Sequence, residues 1–384
     1  MNAKERVLAT IHHQEPDRVP VGEWGIDHDH VSRVIGKHTF WRNRKDTTLA
    51  LWQNRRDEIV ESLKEDCCRL VEALEYDIIT VDLVPPKSHH VDDPPKAVGE
   101  GVWEDSRGNV FKYAASNDSI QQVGFGSSTP KFKEELTEED LAQEWKRVRN
   151  FDDSRFELLD FIADKYAKDH IILCRSMDIY DHLMSPFHGS YEDNLVLTLT
   201  APEEIQKLYD VCAAYNHHII EHCAQKGVTI IMQGQDFGMN TGCIISPQSI
   251  RELYVPMMKR VNEDVKAHGM IPFYHCCGNI WDIMDDYVAA GYKGYQSIQE
   301  SAGMNTRKVK QLYGSKLTLW TGVQCETLVE GSMDDLVQEV TSNLEFLMPG
   351  GGFIFGSTNS VQFGAKTENY LRALEIVRKQ GVYR

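Results

Sequence analysis

Eight short runs of apolar, largely β-branched residues recur along the chain, with helical patterns between most of them. This rhythm constrains the fold more than any other feature. The runs are VPVGEW (19–24), DIITVDL (77–83), IILCRSM (171–177), TIIMQGQD (229–236), MIPFYHCC (270–277), GYQSIQE (294–300), LTLWTGV (317–323) and GFIFGST (352–358). Runs that are apolar throughout suit parallel strands covered on both faces. Between them, residues 48–76 are long and amphipathic, and residues 202–226 carry apolar positions at helical spacing. Residues 247–268 do the same and open after Ser246-Pro247, a cap followed by proline in the first turn. Residues 282–290 stop at Gly291, and residues 334–348 stop at Pro349-Gly350. Repeated β-then-α with eight strands predicts an α/β protein, a single (β/α)8 TIM barrel over residues 1–384. A doubly wound open sheet is the alternative, but no strand runs into a glycine-rich dinucleotide turn. One segment breaks the rhythm. Residues 100–125 alternate around a turn at Ser106-Arg107-Gly108, which predicts an antiparallel β-hairpin inserted in the barrel and able to wall its mouth.

Composition narrows the partners. A chain of 384 residues with 41% apolar content can bury a large core. Its formal charge of −17 repels phosphate backbones and anionic membranes, so neither nucleic acid nor a membrane is an expected partner. The opening MNAKERVLATIHHQEPDRVP is charged and amphipathic with no apolar core of a leader, and no window is long enough to span a bilayer. The expectation is a cytoplasmic protein. Its nine cysteines, an odd number, are then thiols or metal ligands rather than a disulfide framework.

In a (β/α)8 barrel, chemistry sits where strands end at their C-terminal side. Those ends carry Glu23 and Trp24; Asp82; Arg175, Met177 and Asp178; Gln235 and Asp236; His275 and Cys277; Gln299 and Glu300; Gln324 and Cys325; Ser357 and Asn359. In FYHCCGNIWD (273–282), His275 and Cys277 are two apart and point the same way in an extended segment, while Cys276 turns into the sheet. Cys325 ends a later strand and could reach the same centre. A His/Cys/Cys set with an open fourth position is the arrangement of a catalytic zinc; packed thiols are the ordinary alternative. Asp236 could anchor substrate, accept a hydrogen bond behind a ligand, or merely cap a turn. Glu23 could bind substrate, ligate, or sit in a surface loop. Arg175 could pair with a substrate carboxylate or with Asp178. Trp24, Phe237, Tyr274, Trp281 and Trp320 are candidate walls for a planar ligand, although such residues are mostly core. The adjacent pairs His12-His13, His89-His90 and His217-His218 diverge if helical and are read as solvated or partly packed.

These residues also carry a resemblance. ERVLATIHHQEPDRVPV, ISPQSIRELYVPMMKRVNEDVKAHGMIPFYHCCGN, LTLWTGVQCETLVEGSMDDL and PGGGFIFGSTNSVQ resemble the uroporphyrinogen decarboxylase superfamily, in order and over nearly the whole chain. The resemblance implies a (β/α)8 barrel, often a homodimer, and one of two chemistries. One is metal-free decarboxylation of a tetrapyrrole, whose propionates are held by an arginine-rich opening. Here the equivalent stretch is VPVGEWGIDHDH, acidic and without arginine, and no arginine cluster is evident at the mouth. The other is zinc- and cobamide-dependent methyl transfer, whose metal motif resembles His275-Cys276-Cys277-Gly278-Asn279. The coenzyme M enzymes of that branch take a further cysteine from the last strand. Here that strand reads GFIFGSTNSVQ and has none, so the third ligand is expected from Cys325, Glu23 or Asp236, with softness favouring Cys325. The implied activity is transfer of a methyl group from a methoxylated, aromatic-type donor to the cobalt(I) of a partner corrinoid protein. Zinc would activate the leaving oxygen. His275, Cys277 and Cys325 are the expected ligands, Glu23 and Asp236 the expected acids, and Trp24, Asp82, Arg175, Phe237 and Tyr274 the expected substrate contacts.

Overall fold

The computed structural model describes residues 1–127, 129–175 and 179–384. Met177 and Asp178 lie outside the described residues. The first sheet strand is β1 (Ile78–Val81). Four short strands follow: β2 (Lys96–Gly99), β3 (Val102–Glu104), β4 (Val110–Ala114) and β5 (Ser119–Gly124). Then come β6 (Ile171–Arg175), β7 (Ile230–Gly234), the two-residue pair β8 (Gly238–Met239) and β9 (Gly242–Cys243), β10 (Ile271–Cys276), β11 (Gly294–Ser297), β12 (Thr318–Val323) and β13 (Phe353–Ser357). Seven of these form one parallel sheet in the order β1-β6-β7-β10-β11-β12-β13.

The remaining predicted run, residues 19–24, closes the ring. Val21 bridges Phe355 on β13 and Gly22 bridges Ile78 on β1, both in parallel. Glycine is needed at this seam: a Cβ on Gly22 would stand 2.9 Å from the Ile78 Cβ, and one on Gly356 2.5 Å from the Gly22 carbonyl oxygen. All eight predicted runs therefore become staves of one curled sheet, the first reduced to single bridges. The insertion is larger than expected. It is a four-stranded antiparallel sheet, β2-β3-β4-β5, not a lone hairpin. Its β2 is exposed throughout, so its few apolar residues left no clear period for the sequence to show.

Side-chain alternation sorts the core into two shells. Ile78, Leu173, Met232, Phe273, Trp320 and Ile354 fill the barrel, and Val7 and Ile11 of the first helix, Ala3–Ile11, belong to the same cluster. The larger shell lies between the strands and the surrounding helices and includes Val21, Ile79, Cys174, Ile231, Tyr274, Cys276 and Phe355. No helix among the described residues is long and apolar enough to cross a membrane.

Candidate metal centre at the barrel mouth

The end of β10 delivers His275 inward and Cys276 outward, as alternation predicts; Cys276 is fully buried in the outer shell. The chain then turns sharply. Gly278 takes φ +76°, and a Cβ there would lie 2.3 Å from Gly238 backbone atoms. The turn after β7 and the turn after β10 thus pack backbone to backbone, with Met239 bridging Asn279. This contact sets Asp236 against Cys277, whose amide N–H donates to Asp236 Oδ1 at 2.7 Å.

Asp236, His275 and Cys277 come together, their ligand-type atoms all within 4.8 Å of one another. Cys277 Sγ lies 3.5 Å from His275 Nε2, and Asp236 Oδ1 lies 3.9 Å from the same nitrogen. Zinc bonds of about 2.0–2.3 Å at tetrahedral angles place donor atoms roughly 3.3–3.8 Å apart, and both separations from His275 Nε2 lie close to that range.

Its supports suit a cation as well. Gln296, opposite His275 across the β10–β11 ladder, donates through Nε2 to the carbonyls of Ser357 (2.9 Å) and Asn359 (3.2 Å). Its amide oxygen must then face His275 Nδ1, which donates to it. That tautomer leaves Nε2 bare and aimed into the cluster, the second partner typical of a ligating histidine. Burial lowers the His275 pKa and keeps the ring neutral. Asn359 Nδ2 donates to Cys277 Sγ at 3.0 Å, and Ser297 Oγ donates to the same sulfur at 3.7 Å. Burial, then the Asp236 charge, pushes the Cys277 thiol up to about 12, so a cation is what would make it a thiolate. Ser297 (φ 124°) and the β-branched Ile298 (φ 70°) hold positive φ at the end of β11, beside this sulfur.

The other expected site residues divide into three groups. Cys325 is not in the cluster: its thiol donates to the Ser360 carbonyl at 3.5 Å and accepts from Thr358 Oγ1 at 3.6 Å. It shares a cavity of ≈ 350 Å³ with Cys277 and Asp236, and burial pushes its thiol up to about 11. Glu23, expected as an acid at the mouth, turns away from the barrel axis and, with Trp24, lines the apolar cavity described below. It is buried, and its carboxyl accepts from the Ser357 N–H (3.1 Å to each oxygen) and Ser357 Oγ (2.7 Å). Phe237 and Tyr274 are corrected too. Phe237 packs 5.0 Å from the Tyr254 ring, and Tyr274 joins Tyr287 and Tyr292 with its hydroxyl donated to the Gln235 carbonyl at 2.9 Å. Both belong to the outer shell, because each sits on the opposite side of its segment from the inward-facing residue.

Trp24, Asp82 and Arg175 form a column against the metal-type ligands. The Trp24 indole stacks on His275 at 4.3 Å and 4°. The Arg175 guanidinium lies 4.6 Å from the Trp24 ring centroid and forks onto Asp82, so its charge is already answered within the protein. Trp24 stands between two cavities. A polar one of ≈ 570 Å³ opens over His275 and Asp236 and is walled by Ser116 and Asn117 of the inserted sheet's last turn. An apolar one of ≈ 230 Å³ lies behind it, lined by Phe40, Leu63, Ile78 and Leu83 among others.

Two residues at this mouth were invisible from strand ends. Arg42 lies just before the helix Arg44–Trp52, which Arg44 opens, and both residues line both cavities. With Arg175 they do make a cluster of three arginines. Arg42 pairs with Asp27 at 2.6 Å, while Arg44 reaches the Asn117 carbonyl at 3.4 Å and no carboxylate among the described residues. A signal for them would have been the acidic Asp27, which needs a cation once buried.

A uroporphyrinogen decarboxylase (URO-D) family model matches residues 182–380, just over half of the chain. The chain belongs to the uroporphyrinogen decarboxylase family. The matched half contains β7, β10 and β13, and with them Asp236, His275 and Cys277. Among solved structures, a methyltransferase from Methanosarcina mazei superposes with a TM-score of 0.65 at 18% identity, covering 99% of this chain and 98% of that one. At that identity the likeness is one of fold. A D-psicose 3-epimerase from Clostridium cellulolyticum H10 is fainter, with a TM-score of 0.39 at 12% identity over 64% of this chain and 92% of that one. No curated protein sequence matches the chain.

Proposed function

We propose that this member of the uroporphyrinogen decarboxylase family is a zinc-dependent methyltransferase. It would take a methyl group from a methoxylated, aromatic-type donor and pass it to the corrinoid of a partner protein. The observation that carries this reading is the bare Nε2 of the buried His275, aimed at the Cys277 sulfur and the Asp236 carboxylate in a cluster that opens to solvent at Asp236. Zinc held by these three residues would supply a Lewis acid for the departing oxygen, and the partner's reduced cobalt would supply the nucleophile. The chain's own residues prepare the rest. Gln296 fixes the His275 tautomer, Asn359 and Ser297 donate toward Cys277, and Trp24 covers one face of the imidazole. Asp236, more than half exposed, stands on the solvent side, where a donor would enter. The apolar cavity behind Trp24 suits the body of an uncharged arene. The expected cofactors are therefore zinc and a protein-borne corrinoid. The M. mazei methyltransferase supports the reading through its fold.

The arginines favour a second reading, a lyase that removes a carboxyl group from a tetrapyrrole. Arg42 and Arg175 are matched by Asp27 and Asp82, which leaves Arg44 to meet a polyanion and makes this the weaker choice. Metal content of wild type beside Cys277→Ser tests the first reading, followed by a methoxyarene with a cobalt(I) corrinoid protein while the cobalt spectrum is watched. At least one zinc per chain in wild type, one fewer in Cys277→Ser, and methylation of the cobalt are expected. Equal metal in both proteins, or carboxyl loss from uroporphyrinogen without methylation, would overturn it.

A further inference from the structure

A second set of metal-type donors lies on the outer wall of the barrel. His217, Asp264 and His268 each offer an atom within 4.8 Å of the others. His217 belongs to the helix Tyr209–Gln225; Asp264 belongs to the helix Val255–Ala267 and His268 caps it. Four residues apart, Asp264 and His268 share a helix face. The carboxylate serves both rings at once: Oδ2 is 2.9 Å from His217 Nδ1, and Oδ1 is 3.2 Å from His268 Nδ1. The imidazoles meet edge to face, 5.5 Å apart. His268 Nδ1 also lies 3.0 Å from the Asp264 carbonyl. The adjacent His218 diverges, as neighbours on a helix do, and pairs with Asp153 at 2.8 Å. A groove of ≈ 430 Å³ beside Trp145 leads to His217 and Asp264, and its one arginine, Arg260, is matched by Asp210 at 2.7 Å.

We propose that this triad is a second divalent-cation site, for zinc in the first instance, that ties the two helices together. Two imidazoles and a carboxylate are donors that zinc accepts readily. Each ring can hold a proton on its outer nitrogen, and binding would exchange the present contacts of the two Nδ1 atoms, among them that of His268 with the Asp264 carbonyl, for the ion. The two helices immediately precede β7 and β10, the strands whose ends supply Asp236 and His275. A cation here would brace the wall behind the mouth rather than take part in chemistry. The inference stands apart from the proposed activity.

Zinc binding by equilibrium dialysis would be compared in wild type, Cys277→Ser, the pair His217→Asn with His268→Asn, and all three changes together. The pair should bind one zinc fewer per chain than wild type. In the Cys277→Ser background zinc should still raise the melting temperature, and adding the pair should abolish that rise. Cobalt(II) substitution separates the two sites, because only the mouth offers sulfur and hence a thiolate charge-transfer band. Unchanged zinc stoichiometry in the pair, or no thermal response to zinc in Cys277→Ser, overturns the proposal. If the mouth binds no metal, wild type and Cys277→Ser agree and the pair still falls by one.

Discussion

The mouth and the outer wall hold the same kinds of donor in opposite surroundings. At the mouth the His275 side chain is 6% exposed, stacked on one face and fixed by Gln296; on the wall the His217 side chain is 53% exposed and touches one carboxylate. The difference teaches that residue type sets what a group can bind, while burial sets how much its neighbours matter. Water can replace a lost partner of His217 on the wall, but not the buried Gln296 behind His275.

The largest expected effect lies in the buried polar network beside the mouth. Burial raises the Glu23 carboxyl from its ordinary value to about 8, so it is neutral in the folded protein where the unfolded chain would ionise it. Its contribution is complete below the unfolded value, declines as pH rises, and is lost once pH passes about 8. Relative to wild type, Glu23→Gln should therefore gain on the order of 3 kcal/mol between pH 5.5 and 8.5 in urea melts. Parallel stability curves for the two proteins would show that Glu23 is ionised in the fold. Next in size, His275→Ala should weaken zinc binding at the mouth more than about 100-fold, beyond what loss of an outer partner costs. Gln296→Leu should lower that affinity about 10–100-fold while leaving the three donors in place, with titration against a chelator as the readout. An equal affinity would mean the His275 tautomer needs no support. The smallest effect belongs to the wall. His218→Ala, which removes a half-exposed pair with Asp153, should shift stability by less than about 1 kcal/mol. A loss comparable to that of a mouth residue would erase the contrast.

The barrel was legible because its strands are apolar on both faces and its helices carry their own stop signals. The inward pair His275 and Cys277 was legible too, since alternation needs no tertiary information. The third partner stayed open among Cys325, Glu23 and Asp236. Softness pointed to Cys325, but the packing of Gly238 on Gly278 brings Asp236 to the sulfur instead. Glu23, Phe237 and Tyr274 were placed at the right end of the right strands, yet on the outer face. Applying the same alternation to Trp24 and His275 would have shown this. Arg42 and Arg44 lie outside the strand-end pattern, because Arg42 sits in a turn and Arg44 opens the short helix Arg44–Trp52.

The order of apolar runs and helical patterns was enough to determine an eight-stave barrel and which end carries its polar groups, because both follow from the period of side chains along the chain. Which of those groups meet was decided only by tertiary structure. The 3.9 Å between Asp236 and His275, 39 residues apart in sequence, depends on how two glycine turns pack across neighbouring strands, and no local pattern encodes that contact.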